Sequence, residues 1–231
     1  YLGGGLDFTG LQIGSFFATM GVASLFMPAV MGIIADRWIP AQKLLGICHL
    51  VSGGFLIAAA SQTAYGPLYS CMLLSVMFYM PTIALSNSVA YNALDLARLD
   101  TVKHFPPIRV WGTVGFIAAM WFVDLTHIGG VQIKLTEWQL YVSAVLSFLL
   151  AVYSFSLPGC PVDRNVKARS WVDTLGLRAF TLFKEKRMAI FFVFSMLLGA
   201  ALQITNAFGD SYIQSFGSMP QYADSAIVKH S

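Results

Sequence analysis

From residue 44 to residue 94 the chain carries no Asp, Glu, Lys or Arg. In soluble domains about a quarter of residues are charged, so an uncharged run of this length is foreign to them. A second such run extends from residue 8 to residue 35. Helices of about 20 apolar residues, the length needed to cross a hydrocarbon layer of about 30 Å, fit both runs. The longer one accommodates two, with "SQTAYGPLY" and its Gly66 and Pro67 as the turn between them. Composition agrees: 57% of the 231 residues are hydrophobic and 11% charged, with a mean hydropathy of +0.68. The expected fold class is therefore all-α integral membrane, bathed in a lipid bilayer.

Six spans are predicted, near 11–35, 44–61, 68–92, 106–124, 138–157 and 188–208. No short apolar core with a basic leader and a small-residue cleavage site opens the chain. Lys and Arg concentrate on the cytoplasmic side of membrane proteins. Residues 158–187 hold Arg164, Lys167, Arg169, Arg178, Lys184, Lys186 and Arg187 against Asp163, Asp173 and Glu185, which places this loop inside. Counting back puts residues 36–43 and 95–104 inside too, and the turn at 62–67 and the loop around Lys134 and Glu137 outside. Tyr1 then starts outside, so the chain reads as a fragment that lacks one span before it.

The inside loop contains "SWVDTLGLRAFTLFKEKRM", where Trp171, Leu175, Ala179 and Phe183 recur at helical spacing. It fits an interfacial amphipathic helix or a plain polar connector. Three segments follow: an N-terminal helical half over 1–157, the loop over 158–187, and a helix with its following outer loop over 188–231. This is the order in which two six-helix halves of many secondary transporters are joined. The turn "GIIADRWIPAQK" carries Gly32, Asp36, Arg37 and Lys43. It resembles the G-x-x-x-D-R pattern of major facilitator transporters, whose role is gating. There the small Gly lets helices approach, and Asp36 would accept hydrogen bonds or pair with a cation.

Four stretches narrow the resemblance: "SLFMPAVMGIIADRW", "FYMPTIALSNSVAYNAL", "FPPIRVWGTVGFIAAMW" and "KRMAIFFVFSMLLGAALQITNAFG". Together they resemble the nucleoside:proton symporter family of the major facilitator superfamily. The resemblance implies a major facilitator fold, with the chain similar to helices two to seven of twelve. It also implies a bacterial inner-membrane permease with a nucleoside and a proton as its partners.

Arg109 opens a run that holds no other charge until Asp124. With Thr113 and Phe116 it falls at i, i+4 and i+7, one narrow helix face, with Met120 a turn further. Two placements are open. Pro106 and Pro107 can mark the helix start, leaving Arg109 in the first turn with its head snorkelling to water. Alternatively, a longer helix holds the Pro pair inside and Arg109 deeper, where an unpaired Arg is penalised by about 2.5–3.5 kcal/mol and needs a partner or a wet cavity. The resemblance implies the second, with Arg109, Thr113 and Phe116 lining a substrate cavity.

A second stripe runs through Gly199, Gln203, Asn206 and Asp210. Gln and Asn inside a span serve either as interhelical glue or as paired donors and acceptors for a ligand. The resemblance implies substrate contact for Gln203 and Asn206, and Asp210 reads as a helix-end charge. A third patch, Asn87, Ser88, Tyr91 and Asn92, reads as interhelical packing. His49 is the lone imidazole inside a span, and packing or cavity lining is expected of it.

The expected activity is proton-coupled nucleoside import by alternating access, with the coupling acid supplied from outside this chain, since no Asp or Glu falls mid-span. The alternatives are a carrier for a sugar or other small polar solute, and a non-transporting membrane sensor. No enzyme is expected, because no His cluster, paired carboxylate or Ser/Cys-His arrangement has useful spacing. Cys48, Cys71 and Cys160 form neither a disulfide framework nor a zinc site. No metal or organic cofactor is expected beyond the proton. The net charge of +3 is the positive-inside bias and gives no reason to expect nucleic-acid binding.

Overall fold

The computed structural model describes residues 1–2, 5–162 and 184–217. The chain divides into two units, Tyr1–Arg169 and Ser170–Ser231.

In the first unit, α1 (Gly10–Arg37) begins at a capping box: the Thr9 hydroxyl accepts from the Gln12 N–H, and Gln12 Oε1 accepts from the Thr9 N–H at 2.9 Å. Then come α2 (Ala41–Ala60), α3 (Tyr65–Leu96) and α4 (Thr101–Leu125). A two-strand hairpin, β1 (His127–Ile128) with β2 (Val131–Gln132), and a 3-10 turn (Ile133–Leu135) lead to α5 (Trp138–Ser154). The hairpin is an addition to the expected all-helical chain. Its turn is Gly129–Gly130, with φ of 62° and 83°, the left-handed pair that a two-residue hairpin loop demands.

The connection between α3 and α4 is held from both sides. Arg98 takes φ of 56° just past α3, and the Leu99 N–H reaches back to the Leu94 carbonyl while the Arg98 N–H reaches Asp95. This is a Schellman closure built on a non-glycine residue. Two residues later Asp100 caps α4, its Oδ1 accepting from the Val102 N–H at 2.9 Å.

Packing is centred on α2, which lies against α3 and α5, while α1 lies against α3. One apolar cluster joins Met31 and Ala35 of α1, Leu44, Leu45 and Cys48 of α2, and Leu85 and Val89 of α3. At the other end Phe16, Ala59 and Leu68 pack beneath the rings of Phe8, Tyr65 and Tyr69. The Ser15 and Tyr65 hydroxyls are 2.9 Å apart there. Between the clusters, the buried hydroxyls of Ser52 and Ser75 are 2.9 Å apart, tying α2 to α3. The α2–α5 seam is close: a methyl group on Gly46 would meet the Ala151 carbonyl at 3.1 Å, and one on Gly53 would meet Ser147 at 3.2 Å. Across from these glycines α5 presents Ala144, Ser147, Ala151 and Ser154, all buried.

The second unit is described from Lys184 to Gly217 and contains α6 (Lys186–Gly217). Among the described residues five helices are long and apolar enough to cross a bilayer: α1, α2, α3, α4 and the Lys186–Thr205 part of α6. The expected fifth span is shorter, because α5 ends at Ser154, giving 17 residues and about 25 Å at 1.5 Å per residue. The amphipathic segment expected around Trp171 to Phe183 lies outside the described residues.

Candidate substrate-binding face

The boundary of α4 settles where the Pro pair lies relative to the helix start. The helix starts at Thr101, so Pro106 and Pro107 lie inside it and Arg109 stands in its third turn. The helix is thus longer than the apolar run near 106–124, with the Pro pair inside it. The Asp100 cap outcompetes the proline signal, and His104 reinforces it through a 2.9 Å contact from Nδ1 to the Asp100 carbonyl oxygen.

Arg109, Thr113 and Phe116 share one face of this helix. None of the three is buried; indeed no residue of α4 is, and Phe116 is 59% exposed. The direction of the guanidinium is informative. Cα–Cβ bonds tilt toward a helix N-terminus, so a snorkelling Arg109 would reach back toward Asp100. Instead, Nη1 lies beside Gly112, 3.2 Å from where a methyl on that glycine would sit. Position i+3 is about 4.5 Å further along the axis. The charged head therefore lies further along the helix than its own Cα, beside Gly112. Gly112 escaped the sequence reading; a glycine three residues after the one arginine in a span is the signal that marks it.

Gln203 and Asn206 occur in α6 of the second unit. Gln203 is exposed, and the side chain of Asn206 lies outside the described residues. Gly32, Asp36 and Arg37 close α1, with Asp36 exposed. Among the described residues a methyl on Gly32 would meet nothing within 4 Å, while close approaches occur at Gly46 and Gly53.

The third polar patch joins elements together. The Tyr91 ring lies 4.5 Å from that of Phe105, linking α3 to α4, and Asn92 Nδ2 donates to the Gly159 carbonyl at 3.2 Å. His49, 8% exposed, sits edge-on to Tyr79 with no hydrogen-bond partner for its Nδ1. A cavity of about 230 Å³ in the first unit is walled by Phe16, Met20, Leu68, Met72, Val76 and Leu140, with Thr19 and Gln139 as its polar lining. Neither His49 nor any α4 residue lines it. Among the described residues no group of three His, Cys, Asp or Glu side chains is placed to hold a metal ion, and the three cysteines are free thiols.

This face can do three things. It offers a forked cationic donor, a hydroxyl at the next turn and an aromatic surface beyond it. That set matches a flat, hydroxylated, uncharged solute better than an anion, for which a second cation would be expected.

Comparison with known proteins agrees with these observations. The family model described as "Nucleoside H+ symporter" matches residues 1–231. The chain is 49% identical over 225 residues to the xanthosine permease of Escherichia coli K12, covering 97% of this chain and 53% of that protein. It is 46% identical, with the same coverage, to the nucleoside permease NupG of Escherichia coli K12. A crystal structure of a mutant of the nucleoside transporter NupG superposes with a TM-score of 0.82 at 46% identity, covering all of this chain and 56% of that one. The chain thus spans about half the length of the curated relatives it matches. With helices apolar enough to cross a membrane repeatedly, it is a multi-pass membrane protein of the major facilitator fold. It belongs to the nucleoside:proton symporter family.

Proposed function

We propose that this chain forms part of a bacterial inner-membrane carrier that imports nucleosides together with protons by alternating access. The observation that carries the reading at the level of residues is the guanidinium of Arg109. It lies beside Gly112, one turn toward the interior of α4, rather than back toward the helix start. A nucleoside is a planar base on a hydroxylated sugar. Phe116 supplies a stacking surface, Arg109 a forked donor to base or ribose oxygens, and Thr113 a hydroxyl that both donates and accepts. Gln203 and Asn206 supply amides that replace water on the remaining polar edges.

In this reading residues 1–157 belong to one rocking half, 158–187 to the cytoplasmic connection and 188–231 to the start of the other half. Gly32, Asp36 and Arg37 act at the cytoplasmic gate. The relatives are named permeases, and carriage without covalent chemistry fits this face, so the protein works as a carrier and not as an enzyme. The ends of α1, α3 and α4 hold Asp36, Asp95 and Asp124, none of them mid-span. We place the coupling acid outside these 231 residues, where it also serves as Arg109's partner.

The test is uptake of labelled uridine and adenosine by a full-length carrier containing this sequence, in cells lacking nucleoside carriers of their own. Uptake should collapse with a protonophore, and also in Arg109→Ala and Gln203→Ala at normal surface level. Uptake of sugars but no nucleosides by well-expressed protein would overturn the substrate assignment and leave the fold standing.

A further inference from the structure

We propose that Gly112 is the positioning residue for Arg109. The missing side chain at 112 is what lets the guanidinium lie forward along α4, beside the backbone of the next turn. This rests on Arg109 being a substrate contact.

A glycine inside a membrane-spanning helix leaves room for another group to come close to the backbone. The helix holds two, and they differ. A methyl on Gly115 would meet nothing within 4 Å, whereas one on Gly112 would stand 3.2 Å from Arg109 Nη1. Nonbonded heavy atoms are comfortable at about 3.5–4.0 Å, so the guanidinium would be displaced by a few tenths of an ångström, enough to tilt a fork held by two parallel bonds. Hydrogen bonds lose strength steeply with angle, so a turned fork loses one of its two parallel contacts while keeping its charge. The other flank of the arginine offers no comparable berth. The helix has no i→i+4 glycine at 113, and Thr113 stands there with a branched side chain. Gly112 thus sets where the donor points without touching the solute itself.

Concentration-dependent uridine uptake in the full-length carrier separates the possibilities. Gly112→Ala should raise KM about tenfold, the equivalent of one charged hydrogen bond weakened, with Vmax and surface level kept. Gly115→Ala should match the parent. In an Arg109→Lys background, Gly112→Ala should change KM by less than about twofold, because the fork that the methyl displaces is gone. A parental KM for Gly112→Ala beside an inactive Arg109→Ala would overturn the positioning role and leave Arg109 as a contact. Normal uptake by Arg109→Ala would overturn both. Equal losses from Gly112→Ala and Gly115→Ala, or an undiminished Gly112→Ala effect in the Lys background, would overturn it by showing that the substitution acts on the helix and not through the guanidinium.

Discussion

Gln42 and Cys160 are joined across 118 positions of sequence: Gln42 Oε1 accepts a hydrogen bond from the Cys160 N–H at 3.0 Å. Gln42 is 6% exposed at the start of α2, and Asn92 near the end of α3 holds the adjacent Gly159 carbonyl. Two amides from two helices therefore pin the strap that leaves α5, with Leu157 and Cys160 packed on the apolar cluster beneath. Gln42→Leu removes the acceptor and orphans a partly buried N–H, at a cost of about 1–3 kcal/mol. A lower unfolding temperature in detergent would register this, together with faster maleimide labelling of Cys160. Labelling at the parental rate would mean that the strap stays seated without the amide.

The same thiol reports the strap through pH. Burial pushes Cys160 above the ordinary thiol range, and a hydrogen bond with the Gln42 backbone pulls the other way. The reactive thiolate therefore forms at higher pH than in a free cysteine. The pH–rate curve for labelling should lie to the alkaline side of that of a free thiol in the folded carrier, and move back toward it in Gln42→Leu. Coincident curves for parent and variant would show that the strap does not bury the sulfur.

Arg98 takes the left-handed conformation in the turn that closes α3, where most residues cost about 1–2 kcal/mol relative to glycine. Arg98→Gly should therefore stabilise the helical half by about 1 kcal/mol, reduced by the extra chain freedom of glycine when unfolded. Thermal unfolding in detergent measures it. A lower midpoint would show that the arginine side chain contributes more than its backbone strain costs.

Gly46 and Gly53 sit at the α2–α5 seam, where a Cβ would be crowded at 3.1–3.3 Å from its neighbours. Gly46→Leu should overpack it by about 1–3 kcal/mol or more and reduce the amount of carrier reaching the membrane. Gly54→Ala, where a methyl meets nothing, is the matched control. Surface immunoblotting distinguishes them, and equal levels of both would argue against a tight seam.

Arg109→Lys keeps the charge but exchanges a planar fork for a point donor, so KM for uridine should rise by about tenfold or more while the protein still reaches the membrane. Parental kinetics would reduce Arg109 to a charge without directional bonding.

How much of this could be read from residues alone depends on range. Spans are legible because the bilayer imposes a length and forbids charge, which is why the helices from Gly10, Ala41, Tyr65 and Lys186 lie close to expectation. The start of α4 is ambiguous in the sequence because Pro106 and Pro107 carry a strong local signal while the Asp100 cap lies six residues earlier, outside the apolar run. The hairpin at Gly129–Gly130 has a recognisable local signature that was overlooked. The Gln42–Cys160 bond has none, since nothing near either residue marks the other. The face of Arg109, Thr113 and Phe116 follows from spacing, but the direction of the guanidinium along it depends on a conformation that spacing does not encode.

The length of α3 carries a consequence for how the carrier meets its surroundings. Its 32 residues extend about 48 Å, against roughly 30 Å of hydrocarbon. Even a tilt of 40°, the upper end of the usual range, leaves about 37 Å along the membrane normal. At least a turn of this helix is therefore wet at any inclination, and the carboxylate of Asp95 assigns that overhang to the end that holds Tyr91 and Asn92. A water-borne reporter attached there would sit outside the lipid, giving a fixed vantage point on the rest of the chain.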